Sequence, residues 1–306
     1  MKLLVLGGTG MLGSMVAKLA PAEWEITVTA RSKAPYPYEV QNGHWRWLDI
    51  LPADSMWLVE LASLAEGVDC IINCLGATKP LMGTAGARIA NRILPQHLDG
   101  LAPCVIHPST DCVFSGTAGL YTETDQPDAD DDYGLSKARG DEAGLFTLRC
   151  SLIGPECHYP ARHLYGTVLE ERISNGYTDH LWNGVTTLAW AKLALAIAQD
   201  PGLQPAATDV SLFHVTPRGV CSKDRLVSTI LQSHGRHNVE LHGMPSGTPV
   251  DRTLATNHPA MDYLLWLAAG YSPPPTIEQM VWELADFCRA EHWPPTEHGW
   301  RYWRHN

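Results

Sequence analysis

The sequence predicts an α/β protein, a doubly wound parallel sheet with a smaller mixed α/β carboxy-terminal lobe. Three observations carry this. Strand-like and helix-like segments alternate through the first half, glycines cluster at the first strand–helix junction, and from Ser151 the pattern turns irregular, with many prolines, histidines and glycines. At 306 residues the chain has room for one large domain and a second lobe.

The elements follow in order. Lys2–Leu6 is a continuous apolar run, as a strand buried on both faces requires. It is too short for a signal peptide and runs directly into glycines. Met11–Ala20 has helical patterning, Glu25–Ala30 is β-rich, and His44–Leu48 is a third strand candidate. Ser55–Leu64 has helical periodicity and Cys70–Leu75 reads as a buried strand. A helix through Gly86–Leu98 precedes the strand Cys104–Pro108, which delivers Ser109 and Thr110 at its carboxyl end. Tyr133–Ala143 is a helix and Phe146–Cys150 a sixth strand. Later helices are expected at Leu188–Ala198, Lys223–Ser233 and Thr276–Arg289, the last opened by a capping box of Thr276 with Gln279. The expected division is a dinucleotide-binding domain over 1–154, with returns around 183–215, and an interleaved lobe over 155–306.

Composition excludes several classes. Hydrophobic content of 45% and charged content of 18% suit an ordinary globular protein, and no apolar run reaches membrane-spanning length. A net charge of −11 argues against a broad nucleic-acid or anionic-membrane surface. Cysteines 70, 74, 104, 112, 150, 157, 221 and 288 show neither metal-ligand pairing nor a disulfide framework, so reduced thiols and a cytoplasmic location are expected. Fourteen histidines include no HExxH or comparable metal spacing. The acidic stretch Asp125–Asp132 reads as a solvated loop, and the oligomeric state stays open, a homo-oligomer included.

Two motifs carry chemistry. Gly7-Gly8-Thr9-Gly10-Met11-Leu12-Gly13 places glycines where a backbone can approach a pyrophosphate at a helix amino terminus, the signature of a Rossmann fold. After the second strand, where an acidic residue would hold an NAD ribose, stands Ala30-Arg31-Ser32-Lys33. Arg31 suits a 2′-phosphate, so NADP, as NADPH, is expected over NADH. Asp49 and Ile50 would bracket the adenine, and Cys74, Leu75 and Gly76 would pass close to the nicotinamide ribose or pyrophosphate. The second motif is Ser109-Thr110-Asp111 with Tyr133-Gly-Leu-Ser-Lys137. Tyr133 and Lys137, four apart on a helix, share a face. A lysine about 4 Å from the phenol at an effective dielectric of about 20 contributes roughly 4 kcal/mol, or about three pKa units downward. Each residue also has a structural role open to it, Thr110 ending a strand, Asp111 capping a turn and Tyr133 with Lys137 lying on a surface.

With these motifs in order, the chain resembles an extended short-chain dehydrogenase/reductase, and more narrowly the dTDP-4-dehydrorhamnose reductase-like, sugar-nucleotide-binding group. Ser109-Thr110-Asp111-Cys112-Val113-Phe114-Ser115-Gly116 is similar to that group's S-T-D-Y-V-F-D-G, with Cys112 and Ser115 departing from it. Tyr133-Gly134-Leu135-Ser136-Lys137 matches Y-G-x-[ST]-K. Ser151–Gly154, Asn183–Thr186 and Asp251-Arg252 look like pieces of its substrate half, although the last third of the chain matches only loosely. The resemblance implies NADPH-dependent reduction of a nucleotide-linked 4-keto-6-deoxysugar. Thr110, Tyr133 and Lys137 would be catalytic, with Tyr133 the proton donor. Thr110, Asp111, Cys112 and Arg252 would face the substrate. Tyr133 and Lys137 would also touch the cofactor, beside Gly7, Thr9, Gly10, Met11 and Leu12. Dehydratases of this superfamily carry Glu where Cys112 stands, and epimerases usually show Ser-Ser/Thr-Ala, so reduction fits best. Epimerisation, reduction of a non-sugar ketone and a non-catalytic NADP-binding regulatory role remain as alternatives. Arg162, His163, Arg172 and Arg218 are further cations for a diphosphate, and the aromatic tail Trp293–Trp303 would stack a base, form an interface or pack on its own lobe.

Overall fold

A computed structural model describes residues 1–31, 36–50, 56–157, 161–170, 173–204 and 210–294. Seven parallel strands form the main sheet, in the spatial order Leu212–His214, Phe146–Arg149, Cys104–Ser109, Cys70–Asn73, Lys2–Leu6, Glu25–Ala30 and Gly43–Trp47. The chain winds outward from Lys2–Leu6 in one direction, then returns at Cys70–Asn73 and winds in the other. The crevice between those two strands is therefore the switch point, where doubly wound sheets bind ligands.

Alternation along each strand divides the core in two. Leu3, Val5, Ile26, Val28, Ile72, Ile106 and Leu148 face the helices Met11–Leu19 and Thr187–Gln199. Leu4, Leu6, Ile71 and Val105 face Trp57 and Leu61 of the helix Met56–Ala65, together with Leu94 and Leu98. Both faces of the central strands are thus covered, and continuous apolar runs rather than alternating patterns encode them.

Helix boundaries follow local chemistry. Thr186 caps Thr187–Gln199 by accepting the Ala189 N–H at 3.2 Å. The Thr276–Gln279 capping box is present in both directions, 2.8 and 3.2 Å, and opens Ile277–Glu291. Lys223–Ser233 falls where the sequence places it. The third strand, Gly43–Trp47, lies one residue earlier than the sequence suggests. The expected continuous helix over Gly86–Leu98 is a correction: Ala85–Arg88 and Leu94–Gln96 flank a π segment, Ile89–Ile93. Pro95 has no N–H to donate to the Asn91 carbonyl, and that carbonyl lies against Gly140, where a Cβ would come within 2.3 Å of it.

Beyond the sheet, Ile173–Tyr177 pairs in parallel with Glu240–Met244. His180–Trp182 joins Cys221–Ser222 and Val250–Asp251 in a three-stranded sheet. Among the described residues no helix is long and apolar enough to cross a membrane, and no cluster of His, Cys, Asp and Glu could hold a metal ion. All eight cysteines are free. Trp293 is buried, edge-on to Tyr38 with Lys18 over its ring; the rest of the aromatic tail lies outside the described residues.

Candidate active site

The glycine loop is held open by its own contacts. Gly7 has φ +81°, a conformation that L side chains rarely adopt, and its N–H donates to Thr29 Oγ1 at 3.0 Å. A Cβ at Gly13 would lie 2.4 Å from the Gly7 carbonyl oxygen, so only glycine lets the helix Met11–Leu19 start this close to the strand end. No side chain caps that helix at Gly10, which leaves first-turn N–H groups at Met11 and Leu12 for an anion. A cavity of about 390 Å³ opens beside the loop, lined among others by Gly7, Thr9, Gly10, Arg31, Ile50 and Leu75. Cys74 and Gly76 also line it.

These residues fit a dinucleotide. The uncapped helix end and the Cβ-free cradle suit a pyrophosphate, Leu48 and Ile50 offer an apolar slot, and Arg31 stands exposed at the rim. Met11 and Leu12 do not line the cavity with side chains; Leu12 is part of the core and both would act through their backbone. Asp49 lies beside the slot without lining it. Ser32 and Lys33 fall outside the described residues.

The second half of the site lies at the end of strand Cys104–Ser109. Thr110 caps the turn Asp111–Val113, its Oγ1 accepting the Cys112 N–H at 3.2 Å and donating to Asp111 Oδ1 at 3.1 Å. Asp131 caps the helix Asp132–Asp141, accepting the Gly134 N–H at 2.7 Å, and is ion-paired to Lys79. Asp128 likewise accepts from the Ser115 N–H and hydroxyl, so the acidic stretch mainly fastens loops. A Cβ on Gly134 would lie 2.2 Å from the Cys112 carbonyl oxygen; its absence lets the helix approach the strand end. That approach sets the Tyr133 phenol near Thr110, Asp111 and Cys112, close enough for each to act on it.

Electrostatics differ from the expectation that Lys137 depresses the phenol. Burial pushes the Tyr133 phenol up, Cys112 adds to this, and the Thr110 hydrogen bond opposes it. Lys137 does point inward, but the residue is 6% exposed and its ammonium donates to the Pro108 carbonyl at 2.8 Å, with His107 Nε2 at 3.4 Å. Burial also lowers the Lys137 ammonium pKa, Asp141 opposing. The phenol therefore stays protonated near neutral pH, and desolvation rather than the lysine decides it. Burial and Lys137 hold His107 well below the ordinary histidine range, so its imidazole is neutral. Burial likewise pushes the Cys112 thiol up to about 12, which leaves it no thiolate character.

Two residues that the sequence does not mark as site residues tie the halves together. Asn91, in the π segment, bonds both ways to the Ala77 backbone, 2.8 and 2.9 Å, and donates to Ser136 Oγ at 3.0 Å. His107 joins Lys137 to Asn73, whose Nδ2 lies 3.0 Å from His107 Nδ1 and whose Oδ1 accepts the Leu75 N–H. Arg252 approaches from the other lobe, its Nε donating to the Phe114 carbonyl at 2.7 Å. His163 pairs instead with Glu156, which also accepts the Arg162 N–H, and Arg218 donates to the Pro274 carbonyl. Arg172 lies outside the described residues.

Residues 1–149 match the family described as RmlD substrate binding domain. A protein of Haloferax volcanii described as a "probable low-salt glycan biosynthesis reductase" is 31% identical over 147 residues, 45% of this chain and 47% of the relative. The chain therefore aligns with about half the length of that curated relative. Among solved structures, a dTDP-4-dehydrorhamnose reductase of Clostridium acetobutylicum superposes with a TM-score of 0.69 at 17% identity, covering 94% of this chain and all of that one. The Bacillus anthracis enzyme of the same name, solved with NADP, gives 0.67 at 16%, covering 92% and 98%. A UDP-glucuronic acid 4-epimerase of Bacillus cereus gives 0.70 at 14%, covering 95% and 100%. At these identities the likeness is one of fold: the matched half and the lobe beyond it share the architecture of these reductase and epimerase structures.

Proposed function

We propose that the protein is an NADPH-dependent reductase of a nucleotide-linked keto sugar, acting at the keto group of a 4-keto-6-deoxysugar. The observation that carries this is the packing of Gly134 on the Cys112 carbonyl, which sets a protonated Tyr133 near Thr110 at the end of strand Cys104–Ser109, on the same sheet edge as the glycine-loop cavity. The RmlD-like match and the reductase relative support the same reading. When bound, NADPH supplies the hydride and leaves as NADP⁺. Arg31 would hold its 2′-phosphate, and the loop Gly7–Gly13 with the first-turn N–H groups would hold its pyrophosphate.

Thr110 turns its hydroxyl from Asp111 Oδ1 to donate to the carbonyl oxygen and orients it. As negative charge develops on that oxygen, Tyr133 transfers its phenolic proton to it, giving the alcohol. The alkoxide is the stronger base, so a phenol kept protonated by burial is still a competent donor. Lys137, held by the Pro108 carbonyl and His107, would reach the nicotinamide ribose hydroxyls. The small sheet of His180–Trp182, Cys221–Ser222 and Val250–Asp251, followed by Arg252, borders the substrate side. Incubating the protein with a set of nucleotide-linked 4-keto sugars and following NADPH oxidation tests the reading. Stoichiometric NADPH loss with alcohol formation is expected, whereas sugar interconversion without net NADPH loss would show an epimerase.

A further inference from the structure

His107 is fully enclosed on the strand Cys104–Ser109, with Asn73 on the neighbouring strand Cys70–Asn73 and Thr147 in register on the other side. The Asn73 amide has one orientation that satisfies its neighbours. Its Oδ1 accepts the Leu75 N–H at 3.1 Å, so the group 3.0 Å from His107 Nδ1 is the amide nitrogen, a donor. Nδ1 therefore accepts and carries no proton. Burial and Lys137 keep the imidazole neutral, and its single proton is then on Nε2. That nitrogen lies 3.4 Å from Lys137 Nζ.

A proton count along this row does not balance while Lys137 is charged. An ammonium has donors and no acceptor. One Lys137 donor goes to the Pro108 carbonyl at 2.8 Å, and the Nε2–H of His107 faces the same nitrogen. Two donors thus oppose each other as long as Lys137 keeps its ammonium proton, and the conflict ends when the nitrogen becomes an amine with a lone pair. Turning the Asn73 amide over only moves the conflict, because its NH₂ would then meet the Leu75 N–H. Among the charged neighbours, Asp141 on the lysine's own helix favours the ammonium, while Arg149 on strand Phe146–Arg149 disfavours it. Tyr133, one turn earlier on that helix, is a neutral phenol, and Asn73 and Thr147 bear no charge. His107, itself uncharged, acts on the lysine through the direction of one N–H.

We propose that His107 is a positioning residue for Lys137: with its tautomer set by Asn73, it presents an N–H to the lysine and makes it release a proton more readily than an accepting partner would. An ammonium holds the ribose hydroxyls of an anionic cofactor better than an amine does, so this N–H sets the alkaline limit of NADPH binding. The cofactor contact rests on the reading of the site as an NADPH-dependent reductase; the tautomer and the lysine's proton are properties of the free chain.

Two measurements on the free protein and one on its NADPH complex test this. In protein carrying isotope-labelled histidine, magnetic resonance should show His107 with a protonated Nε2 and a bare Nδ1 at neutral pH, its signal identified by its loss in His107→Gln and its shift in Asn73→Asp. The opposite tautomer, or an imidazolium, would overturn the proposal. A glutamine amide can turn its oxygen to the ammonium, so His107→Gln should raise the Lys137 titration midpoint, read at its Cε resonance, by at least about one pH unit, or about tenfold in proton affinity. The alkaline fall in NADPH affinity, followed by fluorescence titration, should move up with it. An unmoved lysine midpoint would overturn the proposal. NADPH affinity weakened equally at every pH, with that midpoint unchanged, would show a merely structural role and overturn it too. If His107→Gln does not fold, Asn73→Asp replaces it: its carboxylate still accepts the Leu75 N–H and should draw the imidazole proton to Nδ1 and raise the same midpoint, and a proton remaining on Nε2 would be the contrary result. Failure of the reductase reading appears separately, as the expected tautomer and lysine midpoint with no NADPH oxidation on any keto sugar.

Discussion

Arg149→Met should destabilise the protein far more than removal of an ordinary surface charge. Arg149 Nη2 lies 2.7 Å from Asp141 Oδ2, with the two side chains 3% and 6% exposed. The same carboxylate oxygen accepts the Ser109 hydroxyl at 2.7 Å, while the guanidinium also meets His214 at 3.1 Å and the Phe114 ring at 5.3 Å. Methionine fills much of the stem volume, so the cavity cost is small. What remains is a buried carboxylate with one neutral donor, and removing one partner of such a pair costs about 3–5 kcal/mol. Replacing both partners, in Arg149→Met with Asp141→Leu, leaves no stranded charge and should cost less than the single change. Urea unfolding of the native chain, both single variants and the double variant measures this. Because Ser109 precedes Thr110, turnover should fall in Arg149→Met as well. An Arg149→Met variant within about 1 kcal/mol of the native chain, or a double variant whose destabilisation is the sum of the singles, would refute the reasoning.

Other outcomes follow from single contacts. Gly13→Ala sets a Cβ 2.4 Å from the Gly7 carbonyl oxygen and should cost about 1–3 kcal/mol of stability and at least about tenfold in NADPH affinity, read by unfolding and by fluorescence titration. Arg31→Ala should lower the ratio of kcat/KM for NADPH over NADH by at least about tenfold, and an unchanged ratio would remove Arg31 from 2′-phosphate recognition. Burial pushes the Asp262 carboxyl up to about 6, against hydrogen bonds from Thr216. A raised carboxyl pKa favours the folded state at low pH, so this contribution is full below about pH 4 and lost as pH rises through 6, a span of about 3 kcal/mol at most. Asp262→Asn should flatten that part of the stability profile, and an identical pH slope in the variant would contradict the shift.

What the sequence made legible was local. Continuous apolar runs placed the central strands, the Thr276–Gln279 box placed the start of Ile277–Glu291, and the glycine spacing placed the loop beside the cavity. The i,i+4 relation of Tyr133 and Lys137 said that both side chains face one way, and both do turn toward the strand end that carries Thr110. It could not say how dry that surface would be, and desolvation, a product of the whole fold, reverses the expected direction of the phenol pKa. Asn91 and His107 were equally out of reach. Their partners, Ser136, Asn73 and Lys137, are remote in sequence and meet only after the sheet and its flanking helices are assembled. The π segment was hidden because Pro95 disturbs a helix at its end, where a simple termination reads the same way.

Tyr133 as the proton donor of a reduction is the central claim. The direct measurement is single-turnover NADPH oxidation by native protein and Tyr133→Phe on the best nucleotide-linked 4-keto sugar, with NADPH affinity measured in parallel. The phenylalanine keeps the ring that packs beside Thr110 and removes only the hydroxyl. A fall of at least about a hundredfold in the hydride-transfer rate is predicted, at nearly unchanged NADPH affinity. A rate within a few-fold of native would contradict it.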